Sequence, residues 1–316
     1  MMTQGRRSTA ITVLLFAVSF GSLELTAQGP PAASFRSSVD LVRVTAVVRD
    51  QRGRFVRGLT AHDFEILDGG LRRPISDFRD DLSGVSVALL FDISGSMEAL
   101  MSQAREAAWH ILSALDGTRD EAAVFTFDTR LDEVAPFTTG LTTLPERLEA
   151  VTPFGATSLH DAIAQTAERA AAREGRRRAV IVFTDGNDNF SRLKATEVSG
   201  LASAVDVPVY IVGIVSRVDD PSTDVGTVSA AHSPFAGALS DLTAWSGDQT
   251  FVASGPAQRS AVGRQIVDEL RQQYLLAFES SSTPGWHPLE VRARGKNLIV
   301  RARGGYIAGQ SRPISE

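Results

Sequence analysis

The stretch Val87-Ala88-Leu89-Leu90-Phe91-Asp92-Ile93-Ser94-Gly95-Ser96-Met97 (VALLFDISGSM, residues 87–97) decides the fold. Five apolar residues run straight into an acid, two hydroxyls and a glycine. A continuous apolar run without alternation predicts a strand covered on both faces, as in a parallel sheet wrapped by helices. Polar groups at the end of such a strand need partners, because a buried polar group left unpaired costs stability. The stretch RRAVIVFTDG (residues 177–186) repeats the pattern, with a strand at Ala179–Phe183 and an acid, Asp185, just past its end. In open α/β sheets, ligands gather at the carboxyl ends of strands. If the two strands are neighbours, Asp92 and Asp185 lie side by side, and two adjacent carboxylates repel unless a cation sits with them. Ser94 and Ser96 add neutral oxygens, and Gly95 lets the loop curl tightly. An all-oxygen site of this kind suits Mg²⁺, Mn²⁺ or Ca²⁺ and not Zn²⁺. A third contributor comes from TPFGATSLHDAI (residues 152–163), where Thr157 stands at the loop-side start of a helix. Taken alone, Thr157 reads as an ordinary helix cap.

Outward from this centre, strands and helices alternate. Strands are expected at 85–91, 122–127, 131–137, 179–183, 209–215 and 250–253. Helices are expected near 98–115, 144–151, 158–173, 194–205, 237–246 and 259–272. The fold class is therefore α/β over residues 84–272: a doubly wound, mostly parallel six-stranded sheet with helices on both faces. Residues 216–235 are polar and read as a long surface loop. Both flanks are β-rich, at 38–80 and 274–308. Within the second flank, HPLEVRARG (287–295) and NLIVRARGGYIA (297–308) read as a hairpin. A few orphan strands cannot bury an apolar face alone, so the flanks are expected to pair into one small β domain.

Composition narrows the function. The chain has 316 residues, 43% hydrophobic and 22% charged, which is globular. A net charge of -5 without a basic run argues against nucleic-acid binding. No phosphate-binding loop of the G-x-x-x-x-G-K-[ST] type occurs, so no nucleotide is expected. The absence of cysteine excludes disulfides, thiolate metal sites and cysteine nucleophiles. Arg6 and Arg7, the apolar run Ala10–Phe20 and the small residue Ala27 form a signal peptide over 1–27, followed by a linker at 28–37. The expected location is secreted or periplasmic, with membrane attachment only if the signal segment stays uncleaved.

Asp92-Ile-Ser94-Gly-Ser96, Thr157 and Asp185-Gly186 resemble the metal-ion-dependent adhesion site of von Willebrand factor A-type domains, in the family's order and in α/β context. The resemblance covers roughly Gly84 to Gln272. It implies that Ser94, Ser96 and Thr157 are direct or near-direct ligands. Asp92 and Asp185 then bind through the metal or its waters, and one coordination position stays open. In the family, an acidic side chain of a partner protein fills that position. The resemblance thus implies an exported, non-enzymatic protein-binding or adhesion module whose rim is built by the loops after residues 94, 128, 157 and 187 and by 216–235. The flanks are similar to an exported bacterial subgroup of von Willebrand factor A-related proteins, of the Acidobacterial type.

Other readings are weaker. A phosphatase of the haloacid dehalogenase kind needs a second acid two residues after Asp92, where Ser94 stands. No nucleophile elbow G-x-S-x-G is present. Residues 185–190 imitate part of an EF-hand loop without its glycine, and Glu197 falls one place too late for its closing glutamate. The second reading is a non-catalytic envelope scaffold in which the metal is structural only. His160 is expected to face solvent, Trp109 and Trp245 to be core, Asn187, Asp188 and Asn189 to be turn formers, and the arginines of REGRRRAV (173–180) to be a solvated helix end.

Overall fold

The computed structural model describes residues 41–309, apart from 81–83, 174, 195–196, 199–200, 202–205, 216–249 and 296. The signal segment, the linker, the polar loop 216–235, the helix at 237–246 with Trp245, and most of the helix at 194–205 lie outside the described residues. The described chain first forms β1 (Leu41–Asp50), β2 (Phe64–Asp68), β3 (Leu71–Arg73) and β4 (Asp77–Arg79). It then reaches the apolar run, which is β5 (Val85–Asp92), every residue of it buried.

A six-stranded sheet grows around β5 from β6 (Glu121–Phe127), β7 (Leu131–Thr139), β8 (Arg177–Thr184), β9 (Val209–Ile214) and β10 (Thr250–Ala253). The spatial order is β10-β9-β8-β5-β6-β7. All pairs are parallel except β6 with β7, which are antiparallel. Helices α1 (Met101–Ala114) and α4 (Pro256–Arg271) cover one face through Met101, Ala104, Ile111, Val262 and Ile266. Helix α3 (Leu159–Ala171) covers the other through Leu159, Ile163 and Ala167. A single turn, α2 (Glu146–Glu149), stands where a helix over 144–151 is expected. The chain leaves β5 toward β6 on one side and later returns through α3 to β8 on the other. The strand order therefore switches direction at β5, which opens a crevice at the carboxyl ends of β5 and β8.

Two helix starts differ from the sequence reading. α1 begins at Met101 rather than 98, because Gly95–Met97 close a separate 3-10 turn. α4 begins at Pro256 rather than 259. Pro256 opens the helix, and the Gln258 side chain accepts hydrogen bonds from the Ser254 and Gly255 backbone N–H groups at 2.9 and 2.8 Å.

The flanks form two four-stranded antiparallel sheets with β11 (Gln273–Glu279), β12 (Gly285–Ala293), β13 (Leu298–Ala302) and β14 (Gly305–Ala308). One sheet runs β13-β1-β11-β4 and the other β14-β12-β2-β3. They enclose a core of Val44, Ala46, Val48, Phe64, Ile66, Tyr274, Leu276, Phe278 and Tyr306. The hairpin expected of 287–308 forms only in part: its outer ends pair antiparallel, His287 with Tyr306 and Pro288 with Gly305, while its middle strand departs. β12 pairs with β2 and β14, whereas β13 pairs with β1. The chain changes sheet at Arg303-Gly304, where the buried Arg303 guanidinium donates to the Arg43 carbonyl. Crossing there gives the inward residues of β1 a second sheet to pack against, which a hairpin would not supply.

An ionic seam joins this sandwich to the α/β part. Glu269 of α4 is fully buried, and its carboxylate accepts from Tyr210 at 2.9 Å and from Arg49 of β1 at 3.2 Å, and it also pairs with Arg301 of β13. The arginines at 173–178 are structural rather than a solvated end. Arg173 grips the buried Glu121 with two bonds of 2.7 Å, and Arg178 lies 3.8 Å from Asp206. Trp109 is 50% exposed on α1, not core. Among the described residues no helix is long and apolar enough to cross a membrane.

Candidate functional site

At the carboxyl end of β5, Asp92 is buried and both its oxygens are engaged. Oδ1 accepts from the Ser94 backbone N–H at 2.9 Å, and Oδ2 accepts from the Thr184 hydroxyl at 2.7 Å. The β5–β8 register pairs Phe91 with Phe183, whose rings stack at 4.7 Å beneath the site. Thr184, not Asp185, is therefore the β8 residue that meets Asp92, and Asp185 stands one residue further out. Its charge still reaches Asp92. Burial pushes the Asp92 carboxyl up to about 6 against the hydrogen bonds from Ser94 and Thr184, and the Asp185 charge adds to the rise.

Backbone bonds knit three loops around this point. Gly95 N–H donates to the Gly155 carbonyl at 3.2 Å, and Phe154 N–H to the Ile93 carbonyl at 2.9 Å. Gly155 sits at φ 95°, a conformation open to glycine at little cost. Asn189 and Phe190 N–H groups both donate to the Thr157 carbonyl, at 3.1 and 3.0 Å, and the Asn189 side chain accepts from Thr157 N–H at 2.9 Å. Ser158 N–H donates to the Asp128 carbonyl at 2.7 Å. Ser94, Ser96, Thr157 and Asp185 are thereby held on one rim, on loops that bind one another directly or through Thr157.

Each side chain has its own setting. The Ser94 and Ser96 hydroxyls lie 3.2 Å apart; Ser94 is buried and Ser96 exposed. Thr157 is buried. Thr157 is not the helix cap: Ser158 holds that position. Asp185 is half-buried and accepts from Asn187 N–H and the Asn187 side-chain amide at 3.2 and 3.0 Å.

The α3 N-terminus is capped from the β8 loop. His160 N–H donates to Asp188 Oδ2 at 3.1 Å and to Ser191 Oγ at 3.0 Å, satisfying groups that the helix leaves open. His160 is buried rather than solvent-facing, with Nδ1 2.8 Å from Asp188 Oδ2. Asp188 and Asn189 are thus braces between loops. The sequence reading missed Thr184, whose one signal is a hydroxyl at the end of an otherwise apolar run.

The donor set is oxygen only: two carboxylates and three hydroxyls, with Asp185 and Ser96 toward solvent. Among the described residues no group of three or more His, Cys, Asp or Glu gathers. The arrangement could therefore hold a hard divalent cation through hydroxyls as much as carboxylates, with room for water. A cation here would relieve the burial and repulsion that raise Asp92.

A mostly parallel six-stranded sheet with helices on both faces defines a doubly wound α/β domain. The von Willebrand factor type A domain family matches residues 86–244, about half of the chain, and the protein belongs to that family. No curated protein matches it. Among solved structures, an aerotolerance-related membrane protein from Bacteroides fragilis is 18% identical with a TM-score of 0.47, covering 60% of this chain and 100% of its own. A von Willebrand factor type A protein from Catenulispora acidiphila is 11% identical with a TM-score of 0.46, covering 87% and 76%. The pilus adhesin SpaC from Lactobacillus rhamnosus is 10% identical with a TM-score of 0.44, covering 77% and 47%.

Proposed function

We propose that the protein is an exported, non-enzymatic binding module that captures an acidic side chain of a partner protein through a divalent cation. The ligands in this reading are Asp92, Ser94, Ser96, Thr157 and Asp185, and the cation is Mg²⁺, Mn²⁺ or Ca²⁺. The observation that carries the reading is the knit of the loops after β5, before α3 and after β8, which ties together the segments that bear those residues. With neutral hydroxyls and water supplying much of its shell and one position open, the cation would stay electrophilic toward an outside carboxylate. Each Asp92 oxygen already accepts one hydrogen bond, from Ser94 or Thr184, which suits a residue that positions a loop better than an attacking nucleophile. Export rests on the charged and apolar segment at 1–27. It is tested by sequencing the mature N-terminus, expected at Gln28.

The decisive experiment is isothermal titration of the protein with Mg²⁺, Mn²⁺ and Ca²⁺, beside Asp92→Ala and Thr157→Ala. Saturable uptake at one site, lost in both variants, is the expected result. A folded wild type that takes up none of the three would sink the proposal.

A further inference from the structure

Two phenylalanines stand out on the rim. Phe154 is 82% exposed and Phe190 60% exposed, on the loops before α3 and after β8. Neither is loose. Phe154 N–H is bonded to the carbonyl of Ile93, next to Ser94, and Phe190 N–H to the carbonyl of Thr157 itself. Phe190 is thus bonded through backbone to a candidate ligand residue, and Phe154 to the residue between two of them, Asp92 and Ser94. The fold gains nothing by leaving two such rings in water, since each forgoes the burial that a core phenylalanine obtains. Rings on stiff backbone lose little conformational freedom on contact, which makes them effective anchors.

We infer that the partner's acidic residue is flanked by apolar side chains: an aromatic or branched aliphatic residue within two positions of the Glu or Asp seats against Phe154 and Phe190. This rests on the metal-dependent reading above. A cation with an open position, held by loops that also carry two exposed phenylalanines, would complement a carboxylate with apolar neighbours. A uniformly acidic segment would leave both rings exposed.

The test is a selection of phage-displayed random heptapeptides on the full chain in Mg²⁺, eluted with EDTA, run in parallel on wild type and on the Phe154→Ser/Phe190→Ser double variant. Wild type is expected to enrich Asp or Glu with an apolar neighbour. The double variant is expected to enrich acids without that neighbour and to bind the wild-type winners about tenfold more weakly. Acidic winners with no apolar preference on wild type, or the same preference on the double variant, would overturn the inference while leaving the metal reading standing. No EDTA-eluted acidic pool on wild type would overturn both. Matching melting curves for the two proteins show that both surfaces compared are folded.

Discussion

Asp92 meets opposed demands. It organises a loop by accepting two hydrogen bonds, yet it does so in a buried place that disfavours its charge. Its folded pKa, about 6, lies above the ordinary value of 3.8. The folded state therefore holds this proton more tightly than the unfolded chain does. The metal-free protein should accordingly lose stability as pH rises through the window between those two values, with the full penalty above about 6. Asp92→Asn keeps an acceptor and removes the charge. In EDTA at neutral pH it should gain about 1–3 kcal/mol and lose most of that pH dependence, as urea unfolding across pH would show. Metal uptake should vanish in the same variant. Asn189 tests the supporting layer. Asn189→Ala takes away the acceptor for Thr157 N–H and should weaken metal binding by about 10–100-fold without unfolding the protein, measured by calorimetry.

Between elements, α1 and α4 pack with backbone close to backbone. A Cβ at Gly263 would come within 2.9 Å of His110 Cβ, 3.0 Å of His110 C and 3.1 Å of Ile111 N. Alanine favours a helix over glycine by about 1 kcal/mol, but backbone atoms of α1 cannot step aside. Gly263→Ala is expected to destabilise by about 1–2 kcal/mol net, read by denaturant titration; a stabilised variant would refute the packing account. This is also the scale at which the sequence was least legible. The alternation in 287–308 announces strands but not which sheet each joins, because a period of two is the same for any partner. His160 looked solvent-facing because helical spacing says nothing about a loop folding back from β8. Asp92 stood out for the opposite reason: it interrupts an apolar run at a strand end, a local signal that needs no partner. Thr184 gave a weaker version of that signal, since a lone hydroxyl in a strand is unremarkable until its register with Asp92 is known.

For the molecule as a whole, the seam at Glu269 holds two packing units together. Glu269→Ala would remove the anion lying between Arg49 and Arg301 and the acceptor for Tyr210. Breaking a buried ionic cluster in this way should cost about 2–4 kcal/mol, less than a wholly enclosed pair because both arginines are partly wet. Calorimetric melting should show the loss, and metal affinity should change little, since the seam involves none of the candidate ligands. The sandwich that shares this seam is made from both flanks of the α/β part: β1 lies between β11 and β13, and β2 lies beside β12. Such a weave imposes an order of events on biosynthesis. The inward faces of β1 and β2 stay uncovered while more than half of the chain is still being made, and the sandwich closes only with the final strands. Until then the first half is kept open by its own connectivity, and β14, the last strand among the described residues, acts as the latch.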